Sequence, residues 1–204
     1  QYWYATERAA IEALQTGQEI ECGRASWFTR GSFLHCRLPS GRLLSYPYPA
    51  IKLEPAFIYP CVDEDGKEMT IMIVSWENRD ARAKKRANDE DLKIVGDPIE
   101  REKAVLSHMA TSAKGDWFRE ATYGGKLVEN IDQATARDIM AAAMLRLEAA
   151  GYPIVLSVHD EIVAEVLEDF GSVEEFISIM ADSPSWAAGL PVAAEGWRGR
   201  RYRK

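Results

Sequence analysis

Cysteine is scarce in this chain: Cys22, Cys36 and Cys61 form an odd set with no metal-type spacing. That excludes a disulfide framework or a cysteine-based zinc site, and the three read as reduced thiols. Histidine is equally sparse, and neither His35 nor His108 sits in a ligand motif, so both read as surface or packing residues. No apolar run is long enough to span a bilayer, and no secretory signal is present. A cytoplasmic protein that contacts no membrane is expected. An excess of positive charge is missing too. The net charge is -7, which argues against nucleic-acid binding by bulk charge, because that affinity comes from Lys and Arg displacing counterions. Basic residues do gather at one end, at Arg198, Arg200, Arg201, Arg203 and Lys204. That tail has two readings, a phosphate contact or a solvated terminus.

What remains is an ordinary globular composition. A chain of 204 residues with 47% hydrophobic content can bury a substantial core as one domain or large subdomain. Its most informative stretch is Tyr152 to Val166, where two apolar, β-branched runs meet at His159-Asp160-Glu161. This reads as a β-hairpin with the acidic residues at or near its tip. Carboxylates on a rigid tip suit a hard cation such as Mg²⁺. The competing reading is a solvated turn, since Asp tolerates turn geometry.

Upstream, residues 123 to 150 read as a long helix, rich in Ala, Leu, Met and Glu and stopped by Gly151 and Pro153. Val128, Ile131, Thr135, Ile139 and Ala142 recur at core-facing spacing. On another face, Lys126, Asn130, Gln133 and Arg137 are spaced four, three and four apart. They form a polar stripe about 16 Å long in which every side chain can donate hydrogen bonds. Phosphates and minor-groove base edges, where acceptors dominate, match such a stripe. An ordinary solvated helix face is the alternative.

The rest organises around these parts. Residues 3 to 14 read as a helix with Gly17 beyond its end, and residues 22 to 60 as strands. Phe33–Leu38 and Arg42–Tyr46 flank the Pro39-Ser40-Gly41 turn as a hairpin. Residues 69 to 76 read as a strand after the turn Asp63-Glu64-Asp65-Gly66, which lacks the remaining spacing of a calcium loop. Residues 78 to 105, centred on residues 79 to 91, mix both charge signs without a clear apolar stripe and read as an exposed loop or frayed helix, whose basic run is either a solvated surface, the preferred reading, or a DNA contact. Ser172-Val173-Glu174-Glu175 resembles a capping box, opening a helix whose Phe176, Ile179 and Met180 are expected to pack on the sheet.

Helix, short stop and acidic hairpin together resemble the C-terminal part of a family A (DNA polymerase I type) DNA polymerase, bacteriophage branch. Val158-His159-Asp160-Glu161 looks like motif C of that family. Gly124 to Ile131, with Gln133-Ala134 and Ala136-Arg137-Asp138, looks like the preceding helix along the primer–template minor groove. Leu38-Pro39-Ser40-Gly41-Arg42 and the stretches 186–191 and 196–204 also look like phage members. The resemblance implies a truncated right-hand polymerase fold: α+β, a mostly antiparallel palm-type sheet carrying the Asp160 hairpin, with packed helices. It divides the chain into 1–60 (helix, palm strands and hairpin), 61–115 (strand and charged insert) and 116–204 (palm core). It implies catalytic roles for Asp160, His159 and Glu161, with Asp160 as metal ligand. Gln133, Arg137, Asn130 and Lys126 become DNA contacts. The cofactor is Mg²⁺, two ions in the complete enzyme, which activate the primer hydroxyl and stabilise the leaving pyrophosphate. The partners are primer–template DNA and deoxynucleoside triphosphates, in phage or its bacterial host.

The pattern is incomplete. No Asp-Tyr-Ser segment of the motif A kind occurs, and Tyr123-Gly124 has no lysine at motif B spacing. The chain begins at Gln1. It therefore reads as a palm fragment that is inactive alone. Strand edges exposed by truncation invite self-association. A non-catalytic DNA-binding module, a subunit of a split polymerase and a metal-dependent nuclease are the alternatives. The nuclease would need further ligands.

Overall fold

Alternating burial builds the first half of the protein. A computed structural model of the chain describes residues 2–202. Strands β1 (Ile20–Cys22), β2 (Ala25–Arg30), β3 (Phe33–Arg37) and β4 (Leu43–Pro47) form an antiparallel meander in sequence order. Trp27, Leu34, Cys36 and Tyr46 point to one face of it and are buried. Helix α1 (Tyr2–Thr16) closes on that face through Ala9, Ala10 and Ala13, whose small side chains allow a close approach. Gly17 ends the helix at φ 71, in the left-handed region that favours glycine.

A second antiparallel sheet is longer. Strands β5 (Ala50–Val62) and β8 (Ile99–Thr111), 13 residues each, pair from Ala50↔Ser107 to Ile58↔Ile99. β6 (Glu68–Val74) and the short β7 (Lys93–Ile94) also pair with β5, and β9 (Trp117–Thr122) flanks β8. The Asp63 turn is a plain one: Asp63 Oδ1 accepts from the Asp65 and Lys67 amides at 3.1 and 2.8 Å.

The charged segment departs from expectation. Residues 79–89 form a regular helix, α2, and residues 99–105 belong to β8. Its apolar stripe is made only of alanine. Ala83 and Ala87, one turn apart, are buried against Phe57, Tyr59, Ile71 and Ile73 in a core of their own. Tyr59 donates to Asp80 at 2.5 Å, and Arg79 lies over the Phe57 and Trp76 rings at 4.2 and 4.9 Å. A periodicity read for large apolar residues misses a helix that docks through methyl groups.

Helix α3 (Gly124–Ala149) joins the first core through Leu127 and Ile131. Its start is wedged against α1: a Cβ on Gly124 would lie 2.1 Å from the Trp3 carbonyl oxygen. The buried Glu7 carboxylate accepts from the Gly124 amide at 3.2 Å and pairs with Lys103 at 3.0 Å. Acid at a helix N-terminus is favourable there.

The acidic hairpin forms as expected, from β10 (Ile154–Val158) and β11 (Glu161–Ala164). It is a separate two-stranded sheet rather than part of a larger one. Neither of its outer edges is paired within the described residues, and Val155 and Leu156 are exposed. Helix α4 (Val173–Ala181) starts at the Ser172 cap, whose Oγ accepts from the Glu175 amide at 3.0 Å. The other half of the capping box is replaced. Tyr152 Oη donates to Glu175 at 2.6 Å and accepts from the Ser172 amide at 3.3 Å. α4 packs against α3, not on the sheet: Arg146 of α3 donates to the Ile179 carbonyl, and Phe176 meets Tyr152 at 5.2 Å. The sheet it was expected to cover ends at two strands. The result is an α+β chain of antiparallel sheets and helices. Among the described residues no helix is long and apolar enough to cross a membrane.

Candidate functional site

The four side chains of the α3 polar stripe each take a different partner. Lys126, at its first turn, forms an ion pair with Glu120 of β9, which also faces His108. The hydrogen bond from Lys126 holds the Glu120 carboxyl below the usual carboxylate range. Lys126 is thus drawn away from the remaining three. Asn130 Nδ2 donates to Tyr46 Oη of β4 at 3.2 Å. Gln133 donates back to Glu129 on the preceding turn at 3.1 Å, and Arg137 reaches Met140 Sδ at 3.5 Å.

Asn130, Gln133 and Arg137 do come together in one open depression of about 430 Å³ between α3 and β4. Arg42, Ser45 and Tyr46 form the opposite wall. This wall is carried by the Pro39-Ser40-Gly41 turn, which is clamped to α3. Ser40 Oγ and Arg42 Nε each donate to Asp138 at 2.5 Å, and Arg42 also donates to the Ala134 carbonyl at 2.8 Å. Asp138 has one carboxylate oxygen for each partner, which fixes the turn in orientation as well as position. Burial pushes the Tyr46 hydroxyl up to about 12, so it stays protonated at any ordinary pH.

The depression is therefore lined by side-chain donors: two guanidinium groups, two amides, a phenol and the Ser45 hydroxyl. Sugar, phosphate and minor-groove acceptors are the chemistry such a surface recognises. Arg42, Tyr46 and Asp138 were not legible as site residues. The turn containing Arg42 stands out in the sequence, but nothing local says that it meets a helix 96 positions away.

The Asp160 hairpin stands apart from this groove. Val158 pairs with Glu161, leaving His159 and Asp160 as a two-residue tip. His159 has φ 53, the left-handed geometry that tight hairpins demand. Both tip residues are exposed, and Glu161 is half-buried, accepting from the Tyr202 hydroxyl at 2.6 Å. Among the described residues no three His, Cys, Asp or Glu side chains gather closely enough to hold a metal ion. Mg²⁺ needs near-octahedral oxygen coordination. Asp160 and Glu161 supply part of such a shell at most, so the donors present do not fit a complete Mg²⁺ site, and no metal-dependent step can be written from them.

His35 and His108 do not line the depression, but each touches a residue of its wall. His35 lies between Phe28 and Phe33 and shares a 2.9 Å hydrogen bond with Ser45, while His108 packs edge-on to Tyr46. The basic tail is partly committed to structure. Arg198 donates to the carbonyls of Leu167, Glu168 and Gly171, bracing the loop after β11. Arg203 and Lys204 lie outside the described residues.

Helix groove and acidic hairpin thus follow one another along the chain. The likeness is to a DNA polymerase. Over all 204 residues the chain is 33% identical to a DNA polymerase of Bacillus phage SP02, and it spans 25% of that relative's length. No protein-family profile and no solved structure matches the chain.

Proposed function

We propose that this chain is the palm portion of a family A, phage-type DNA polymerase, holding primer–template DNA beside the catalytic centre and contributing Asp160 to it. The observation that carries this reading is the convergence of Arg42, Tyr46, Asn130, Gln133 and Arg137 on one depression, formed by the helix that leads into the Asp160 hairpin. Whole-length similarity to a quarter of a phage DNA polymerase supports it.

In this proposal α3 lies along the minor groove of the nascent duplex. Asn130, Gln133 and Arg137 donate to base-edge and sugar acceptors, and Arg42 approaches from the clamped turn. Lys126 contributes through its pairing with Glu120. His159 lies near the primer terminus, Asp160 is one metal ligand of the complete enzyme, and Glu161 is an accessory carboxylate. The two Mg²⁺ ions of that enzyme require donors beyond these residues, as the incomplete set at the hairpin implies. Alone, the chain binds DNA but does not extend a primer.

The test is binding to a fluorescent primer–template duplex at several salt concentrations. Gln133→Ala and Arg137→Ala weaken binding, and Arg137→Ala also lowers the salt slope by about 0.9, the share of one phosphate contact. Unchanged binding in both variants sinks the groove assignment. One observation favours a second reading, a DNA-binding module or split-polymerase subunit without chemistry of its own: no metal cluster forms among the described residues. Incorporation that appears only when a second polypeptide is added identifies the split form.

A further inference from the structure

The helix that charge mixing had hidden has no part in the α3 groove. α2 packs on β5, β6 and β7 in the second core, whereas the groove lies over the first. Its sequence, Arg79 to Asp89, carries five basic residues against two aspartates, in a chain whose net charge is -7. One of those aspartates, Asp80, is taken up by the Tyr59 hydroxyl and by Arg79 at 3.6 Å. Asp89, with Glu90 and Asp91, sits at the far end, where Glu90 pairs with Arg86.

Burial of Ala83 and Ala87 fixes the rotation of the helix. At about 100° per residue, Lys85 then points directly away from the sheet and Lys84 lies on the helix flank. Both are exposed, and among the described residues neither side chain makes an ion pair or hydrogen bond. Exposed Arg82, one turn before Lys85, is tethered to the Val74 carbonyl at 3.0 Å. Trp76 lies just before the helix, 57% exposed, with its ring steadied by Phe57 at 4.5 Å and by Arg79.

We propose that the outer face of α2 with Trp76 is a second nucleic-acid contact, for single-stranded DNA, in which Lys84 and Lys85 meet phosphates and Trp76 stacks on an unpaired base. A basic track beside an exposed aromatic ring is the combination that holds single strands without reading sequence. The inference rests on the DNA-polymerase reading for its choice of polyanion. It adds a site that lies off the duplex groove.

The experiment measures binding of the 204-residue chain to a fluorescent oligothymidylate, and separately to a primer–template duplex, across a salt series. Lys84→Gln with Lys85→Gln lowers the single-strand salt slope by about 1.4, at 0.7 per phosphate contact, and leaves duplex binding nearly unchanged. Trp76→Ala weakens single-strand binding without changing the slope. Both lysines are exposed, so the double variant keeps its fold, and circular dichroism checks this. An unaltered slope in the lysine variant overturns the proposal, as does failure of the unsubstituted chain to bind the oligothymidylate. If Arg137→Ala weakens duplex binding while the lysine variant changes nothing, the α2 site falls and the groove reading survives.

Discussion

At Asp138 one carboxylate anchors two side chains of the Pro39-Ser40-Gly41 turn, and its own side chain is only 10% exposed. Hydrogen bonds to charged groups contribute about 1.5–3 kcal/mol each. Asp138→Ala should therefore destabilise the protein by about 2 kcal/mol in urea unfolding and reduce duplex binding, since it frees the wall that carries Arg42. Loss of stability with duplex binding intact would mean that the clamp does not shape the groove. Tyr46 and Cys36 make a second residue-level prediction. Burial raises the Cys36 thiol from 9.0 to about 12 and the Tyr46 hydroxyl from 10.0 to about 12. Each group favours the folded state fully below its unfolded value, and that contribution is lost as pH rises towards the folded one. Stability should hold to about pH 9 and fall between there and pH 12. Tyr46→Phe, which cannot ionise, should flatten the upper part of that fall in pH-dependent melting curves.

Among the elements, the α1–α3 contact is the least forgiving, because the Trp3 carbonyl occupies the place a Gly124 side chain would take. Gly124→Ala should force the helices apart and cost about 1–3 kcal/mol, measured by thermal or urea unfolding. A neutral result would show that α3 starts elsewhere. The same helix shows what was legible beforehand. Its strong formers, the Gly151 stop and the spacing of Val128 and Ile131 mark it locally, although Thr135, Ile139 and Ala142 of the same expected face are only half-buried, and the Pro39-Ser40-Gly41 turn marks the hairpin of Phe33–Leu38 and Arg42–Tyr46. The acidic hairpin was equally plain, since its tip lies between two β-branched runs. The α2 helix was not, because alanine methyls carry no hydrophobic signal against seven charged neighbours. The packing of α4 on α3 depends on Arg146 reaching carbonyls 33 positions on, and pattern alone cannot locate that contact. Within the candidate site the helix stripe could be read from periodicity. The diversion of Lys126 to Glu120 and the arrival of Arg42 depend on tertiary approach.

For the molecule as a whole, the β10–β11 hairpin is the exposed part. It has unpaired edges and, with Val155, Leu156 and Leu167, an uncovered apolar surface. Such edges recruit further strands. We expect the 204-residue chain to self-associate through this hairpin at high concentration, and light scattering of a clean monomer at all concentrations would contradict that. The central claim concerns Asp160 in a complete polymerase. Primer extension with Mg²⁺ and deoxynucleotides, by a polypeptide that includes this chain together with the rest of a polymerase, tests it most directly. The account predicts extension that Asp160→Ala abolishes, and none from the 204-residue chain alone. Extension that survives Asp160→Ala, or Asp160-dependent extension by the chain alone, would contradict it.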